Sequence, residues 1–371
     1  MTTYQISNQQ FTILASIITI GDAILMIPYI ITEKSQQDAW FAFLIGIVIG
    51  MAALYFITKV ISLFPNLSIV ESSSQVLGKW VAIPFIIIYL LYFSLNITTH
   101  IREAADFVVI QVMSETPLQA IILLILLATV YGALQGIEVI ARASQLFFPF
   151  MVIIFFIVMF MLISKTKLEY IWPFLENGMF PVWKGVVPAA SYPFMELCFL
   201  FLIAPFVEDK SKLTKNIYIG AAIGAFFIFI MLLMSLLVLG PYIVGNHLYP
   251  SYTLAKKISF GNFIQRIEGT LALLWTVTIF IKIAIGISIV SLGLKQMLQL
   301  PSEKKIIFPL AMVLFYSSIT LAPNVVHFNE TISNYWWLVD TIVGLVLPLF
   351  FLIVYGIRKT FNKQKMQKQG E

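Results

Sequence analysis

The stretch SIITIGDAILMIPY, residues 16–29, decides how this chain is read. It is apolar enough to lie in a bilayer. Yet Gly21 is a weak helix former, Asp22 puts a carboxyl at mid-span, and Pro28 follows within two turns. A helix that opens at Ile20, Gly21 and Asp22 frees backbone N–H groups in its second half, and these, with the half-helix dipole, suit an anionic group. The plainer alternative is a Gly/Pro kink filled by neighbouring side chains, since both residues are common in membrane helices.

The rest of the chain sets this stretch in a membrane. Its 371 residues are 60% apolar and 11% charged, with a mean hydropathy of +0.94. Soluble domains carry about 25% charged residues. The chain is therefore expected to be an integral membrane protein with lipid as its solvent. The net charge of +5 gives no reason to expect a nucleic-acid partner, because the spare positive charge lies in loops and the tail. The lone Cys198 excludes an internal disulfide and reads as a small core residue. His100, His247 and His327 show no ligand spacing, so neither metal nor cofactor is expected. With no phosphate-binding loop, dinucleotide fingerprint, HExxH or nucleophile elbow, an enzyme has no visible chemistry to stand on. MTTYQISNQQ has no basic n-region and precedes a run of full span length, so a cleaved signal peptide is not expected.

A membrane helix needs about 20 apolar residues. Ten such runs lie near 11–31, 39–63, 81–112, 117–135, 143–164, 185–207, 217–244, 268–298, 306–322 and 335–357. Lipid tolerates only internally closed backbone hydrogen bonding, and no short alternating segments suggest a barrel, so the runs are expected to be helices. Fourteen Lys and Arg fall on the side shared by both termini and seven on the other, which places the termini in the cytoplasm.

The sixth run, GVVPAASYPFMELCFLFLIAPF (185–206), resembles the first in being interrupted. Pro188, Ser191 and Pro193 crowd together, and Ala190 to Phe194 make a poor continuous helix, with Glu196 just beyond. Spans one and six are five apart. The expectation is an all-α fold of ten transmembrane helices in a single membrane domain, 1–371. Residues 8–165 and 183–358 form inverted five-helix repeats with broken helices 1 and 6, and residues 359–371 form a basic cytoplasmic tail. Paired breaks in such folds hold ligands at mid-membrane.

Two further features stand inside spans. Lys282 lies in LALLWTVTIFIKIAIGISIVSLGL (271–294), 24 residues with no other charge. About 11 residues flank it on each side, roughly 16 Å, too far for its stem to reach water. On the lipid face it would cost about 3 kcal/mol or more. It is therefore expected to face Asp22 or Glu196, either as a buried ion pair or as a built-in cation where related folds often place sodium between spans one and eight. The third span carries Tyr92, Asn96, Thr98, Thr99, His100, Arg102, Glu103 and Asp106. Arg102 and Asp106, four apart, suggest an outer gate or a wetted helix end. Residues 245–269, polar and aromatic, are long enough for an outer lid helix or a passive loop.

A family resemblance runs nearly the whole length. It is carried by ISNQQF and IGDAILMIP at the start, then FPNLSIVESSSQVLGKW (64–80), ETPLQ (115–119), GIEVIARASQLFFP (136–149) and SYPFMELCFLFLIAPF (191–206). LGPYIVGNHLYPSYTLAKKIS (239–259), RIEGTLALLW (266–275) and FIKI (280–283) follow. These resemble the B subunit of the nutrient germinant receptors of endospore-forming bacteria, a spore-permease family in the amino acid–polyamine–organocation superfamily. The resemblance implies residence in the inner spore membrane, A and C partner subunits, and binding of a small nutrient, commonly an amino acid. Its ligand site falls on Ile20, Gly21, Asp22 and Ala23 at the first break and on Ser191, Tyr192, Pro193 and Phe194 at the second. Tyr92, Asn96 and Glu196 complete the candidate set. Asp22 stands where the superfamily's transporters usually have a small residue, and it would repel a ligand carboxylate and favour an amine.

Three functions fit these residues. The first is a nutrient sensor read by partner subunits. The second is a proton-coupled amino acid uptake transporter that exchanges its proton at Glu196 or Asp22. The third is a ligand-free membrane scaffold.

Overall fold

The computed structural model of the chain describes residues 5–258 and 268–368, with side chains as far as Phe361 in the last helix. Among these residues the structure is helical, apart from one isolated bridge between Ile6 and Val207. The first half comprises α1 (Asn8–Ile20), α2 (Ala23–Ser35), α3 (Ala39–Leu63), α4 (Ile69–Leu77), α5 (Lys79–Gln111), α6 (Leu118–Gln135) and α7 (Ile137–Leu162). The second half comprises α8 (Met179–Met195), α9 (Leu213–Leu239), α10 (Pro241–Asn246), α11 (Pro250–Ala255) and α12 (Glu268–Leu298), then α13 (Lys304–Thr320), α14 (Val325–Thr331), α15 (Trp337–Thr341) and α16 (Leu347–Lys368).

Local chemistry fixes the ends of these helices. Ser7 caps α1, its hydroxyl accepting from the Gln10 N–H while the Gln10 side chain accepts from the Ser7 N–H. Ser68 and Glu71 do the same for α4. Gly136, at φ 93°, lets α6 end and α7 begin within one residue.

Among the described residues, seven helical runs are long and apolar enough to cross a membrane: Asn8–Leu63, Lys79–Gln111, Leu118–Gln135, Ile137–Lys165, Lys210–Leu239, Glu268–Leu298 and Val325–Phe361. The first, at 56 residues, contains α1 to α3. The expected sixth and ninth spans are helices of 17 residues each, α8 and α13. Large apolar side chains such as Phe160, Met312, Leu91 and Val48 lie exposed on the outside, a surface suited to lipid and a liability in water. α12, which carries Lys282, is the most deeply buried of the seven long runs.

Hydrogen bonds tie loops together at two opposite ends of the bundle. At one end the Ile6 N–H donates to Phe206 at 2.9 Å, the Ser68 hydroxyl to Gln296 at 2.7 Å and Arg358 to Leu77 at 3.2 Å. At the other, Lys34 donates to Ser333 at 3.1 Å, Gln37 to Pro173 at 3.2 Å and Lys256 to Gln111 at 3.2 Å. The first end gathers the loops that carry the larger share of Lys and Arg.

Small residues bring helix backbones close. A Cβ on Gly220 would lie 2.5 Å from Ala15 Cβ, and one on Gly224 would lie 2.5 Å from Thr19 Cβ, so α9 seats directly on α1. Gly46 and Gly50 of α3 do the same for α8, where added Cβ atoms would meet Ala189 Cβ at 2.4 Å and the Phe194 ring at 2.1 Å. Both pairs are Gly-x-x-x-Gly, the spacing that lets membrane helices approach closely.

The two interruptions differ. α-Helical geometry stops at Ile20 and resumes at Ala23, leaving Gly21 and Asp22 as turn residues. In the sixth span the change comes later than the prolines suggest: α8 runs unbroken through Ser191, Tyr192, Pro193 and Phe194 to Met195. A 3₁₀ segment, Glu196–Phe201, then takes over. Each proline removes one donor, which a helix packed on all sides absorbs; the irregularity falls where Glu196 turns inward. Within the segment 245–269, α11 packs on α2 through the Ser251 hydroxyl, which donates to the Ile24 carbonyl at 2.9 Å. The remainder of that expected lid, 259–267, lies outside the described residues.

Candidate functional site

The turn between α1 and α2, the start of the 3₁₀ segment, α5 and α12 converge on one buried cluster. Lys282 Nζ donates to Asp22 Oδ1 at 2.5 Å and also to Glu196 Oε2. Asn96 Nδ2 donates to Glu196 Oε1 at 2.7 Å. Lys282 is 4% exposed, Asp22 6% and Glu196 1%, so the ammonium is shut away from both lipid and bulk water. The sequence spacing makes this possible: Asp22 and Glu196 stand where regular helix gives out, and Lys282 comes from the middle of the central helix.

Gly21 is part of the same construction. The Lys282 stem crosses directly over it, and a Cβ there would lie 2.5 Å from Lys282 Cδ and 3.0 Å from Nζ. Only glycine lets the side chain pass.

His100, on α5 one turn beyond Asn96, completes the cluster. Its Nδ1 is 4.0 Å from Asp22 Oδ1 and its Nε2 3.7 Å from Glu196 Oε1. It was not singled out from sequence, although Tyr92, Asn96, His100 and Glu103 recur at helical spacing and mark one polar face of α5. Asp22, His100 and Glu196 offer ligand atoms within 4.8 Å of one another, a spacing a metal ion could use. Lys282 already lies between the two carboxylates, so a metal would have to displace a fixed cation.

The other candidate residues go elsewhere. Tyr92 donates to Asp340 Oδ1 at 2.9 Å, an acid in the last span that the sequence reading passed over. Ser191 lies 3.5 Å from the Pro188 carbonyl, Tyr192 donates to the Ile332 carbonyl at 2.5 Å, and Phe194 packs on Gly50. Ile20 and Ala23 are buried beside the break, as is Pro193 on α8. Ile20 also joins Ile24, Leu25, Phe107 and Trp275 around a narrow apolar recess of about 40 Å³.

Arg102 is not free at an outer vestibule. It is 3% exposed, pairs with Asp106 at 2.9 Å, and donates to the carbonyls of Ser318, Ile319 and Ala322 at the end of α13. A guanidinium at a helix C-terminus satisfies orphan carbonyls and the dipole together. Arg102→Lys is therefore expected to lower stability by about 1.5–3 kcal/mol, because an ammonium cannot span these acceptors. The readout is the apparent melting temperature of the purified protein. An unchanged value would contradict this anchoring role.

A helical membrane bundle with a charged cluster where two spans lose regular geometry has the build of a permease-type protein. Solved transporters share its fold. MhsT in complex with L-phenylalanine superposes with a TM-score of 0.65 at 12% identity, covering 96% of this chain and 99% of that one. The nucleobase-cation-symport-1 family transporter MHP1, in a closed conformation with bromovinylhydantoin bound, gives 0.63 at 14% identity, over 88% and 74%. The chain belongs to the spore germination protein family, the spore permeases, whose sequence pattern matches residues 5–326. Spore germination protein KB of Bacillus subtilis (strain 168) is 24% identical, covering 99% of this chain and 98% of that protein. Spore germination protein YndE of the same organism is 25% identical, over 97% and 99%. Family and fold point to a membrane protein without enzymatic chemistry, of the germinant-sensing, permease-like kind.

Proposed function

We propose that this chain is the nutrient-binding B subunit of a germinant receptor in the inner spore membrane, with A and C partner subunits and both termini cytoplasmic. Ten spans form two inverted repeats, 8–165 and 183–358, followed by the tail at 359–371. The packing of α1 on α9 and of α8 on α3 supports this arrangement, because a five-span shift maps the first contact onto the second. The observation that carries the reading is the Lys282 ammonium between Asp22 and Glu196, one acid from each interruption. A ligand that binds one arrangement of the two interruptions better than another shifts the receptor by that difference in affinity.

A small amino acid suits the surroundings. Its amine would find acceptors around Asp22, and the recess flanked by Ile20, Ile24 and Leu25 would take an apolar side chain. Ala272→Trp, which fills that recess from α12, is expected to raise the nutrient concentration needed for germination about tenfold or more, a loss of roughly 1.4 kcal/mol, at normal protein level. An unchanged dose response, with no heat on titrating amino acids into the purified receptor complex, would end the reading.

His100, within 4.0 Å of both carboxylates, keeps the proton-coupled transporter as a second reading. Accumulation of labelled amino acid in liposomes holding this chain alone, driven by a pH gradient, would favour it.

A further inference from the structure

Among the described residues, four carboxyl side chains lie buried around the interruptions: Asp22, Glu103, Glu196 and Asp340, none more than 6% exposed. Lys282 serves Asp22 and Glu196, and Arg102 is committed to Asp106 and the end of α13. No ion pair to Asp340 occurs among the described residues. Its Oδ1 accepts the Tyr92 hydroxyl, and its Oδ2 is buried with no hydrogen-bond partner. The titratable groups around it are Tyr92 from α5, Tyr192 from α8, and Glu196 and Cys198 from the 3₁₀ segment, with Asp22 and Lys282 beyond.

The backbone at Asp340 is unusual. α15, only five residues long, lies between two π-helical turns, Ile332–Trp336 and Ile342–Val346, a geometry found mostly as single turns and often at functional sites. Tyrosine hydroxyls hold both turns: Tyr192 donates to the Ile332 carbonyl and Tyr89 to the Val343 carbonyl at 3.2 Å. Gly344 lies flat on Met195, the residue before Glu196; a Cβ there would fall 2.5 Å from Met195 Cβ. The last span is thus clasped to the point where the sixth changes geometry, with an acid in the clasp.

An unpaired buried carboxylate costs several kcal/mol even after relaxation. A neutral carboxyl with one unpaired hydroxyl costs only about 1–3 kcal/mol. Asp340 is 0% exposed and no cationic side chain pairs with it among the described residues, so any balancing charge must fit at a closed site. The cation that needs no room is a proton. We propose that Asp340 is a proton-binding site, separate from the Lys282 cluster, whose occupancy sets the charge of the last span. The O–H bond forms on Oδ2, the oxygen that Tyr92 leaves unpartnered, and the Tyr92 hydroxyl keeps donating to Oδ1. This holds whether or not the chain binds a nutrient.

Infrared difference spectroscopy on the purified full chain tests it, with ¹³C-aspartate labelling to separate aspartic from glutamic carboxyls. The expected result is one labelled carboxylic-acid C=O band that is lost in Asp340→Asn and shifted in Tyr92→Phe, which removes the hydrogen bond to Oδ1. A folded Asp340→Asn protein that retains every labelled carboxylic-acid band would overturn the proposal. Should that variant not fold, Tyr92→Phe decides alone, and no band shift in it overturns the proposal equally.

Discussion

On the receptor reading proposed above, spores carrying Lys282→Ala are expected to need far more nutrient to respond through this chain, while retaining response to stimuli that bypass it. The variant leaves Asp22 and Glu196 buried within one cluster with no cation between them. Removing one partner of a buried ion pair costs about 3–5 kcal/mol, because the remaining charge is left uncompensated. The two carboxylates also repel, which separates the interruptions that Lys282 holds together. If half of that cost falls on the arrangement that binds nutrient, the effective affinity drops roughly tenfold to a hundredfold. Germination dose response and immunoblotting of spore membranes measure the two parts. Normal protein with a dose response shifted roughly tenfold to a hundredfold is the predicted outcome. A normal response at normal level would remove the ammonium from the mechanism, and loss of the protein itself would make its role structural.

Gly21→Ala is expected to reproduce much of this defect without touching any charge. Its Cβ would fall 2.5 Å from Lys282 Cδ, about an ångström inside ordinary contact. The clash lies midway along the stem, so the chain cannot relieve it by swinging its tip alone. Lys282 must lift, and the bonds to Asp22 and Glu196 must lengthen. The overpacking penalty is about 1–3 kcal/mol, enough for a tenfold or larger rise in the nutrient concentration needed. Gly21→Trp should abolish the response. Gly220→Ala controls for general packing: it clashes with Ala15 on the α1–α9 contact and should reduce protein level rather than alter the dose response of the protein that remains. Equal behaviour of Gly21→Ala and wild type would show that the stem does not pass over this glycine.

Much of this was legible in the sequence because membrane physics leaves few options. Long apolar runs can only be helices, and an ammonium at the centre of 24 uncharged residues must find acids. Asp22 and Glu196 followed, and the structure pairs both with Lys282. In the sixth span the prolines suggest a break near Ser191, whereas a helix packed on Gly46 and Gly50 keeps its geometry past Pro193 to Met195. Asp340 was missed because it lies five residues into the last run, where an acid reads as a wetted helix end; nothing local announces the π turns around it. His100 has no ligand spacing along the chain, yet the carboxylates nearest its ring come from two other elements. The paired Gly-x-x-x-Gly motifs were visible in α3 and α9 and carried register information that span counting alone did not use.

One ammonium joins the two interruptions by charge. Melting of the purified protein in Lys282→Met, and in the same variant with Asp22→Asn and Glu196→Gln added, tests it most directly. If the three groups form one electrostatic unit, Lys282→Met alone lowers stability by about 3–5 kcal/mol and neutralising both acids restores most of it, since a buried charge network replaced whole is often close to neutral. If the added substitutions lower stability further instead, the ammonium does not bridge Asp22 and Glu196.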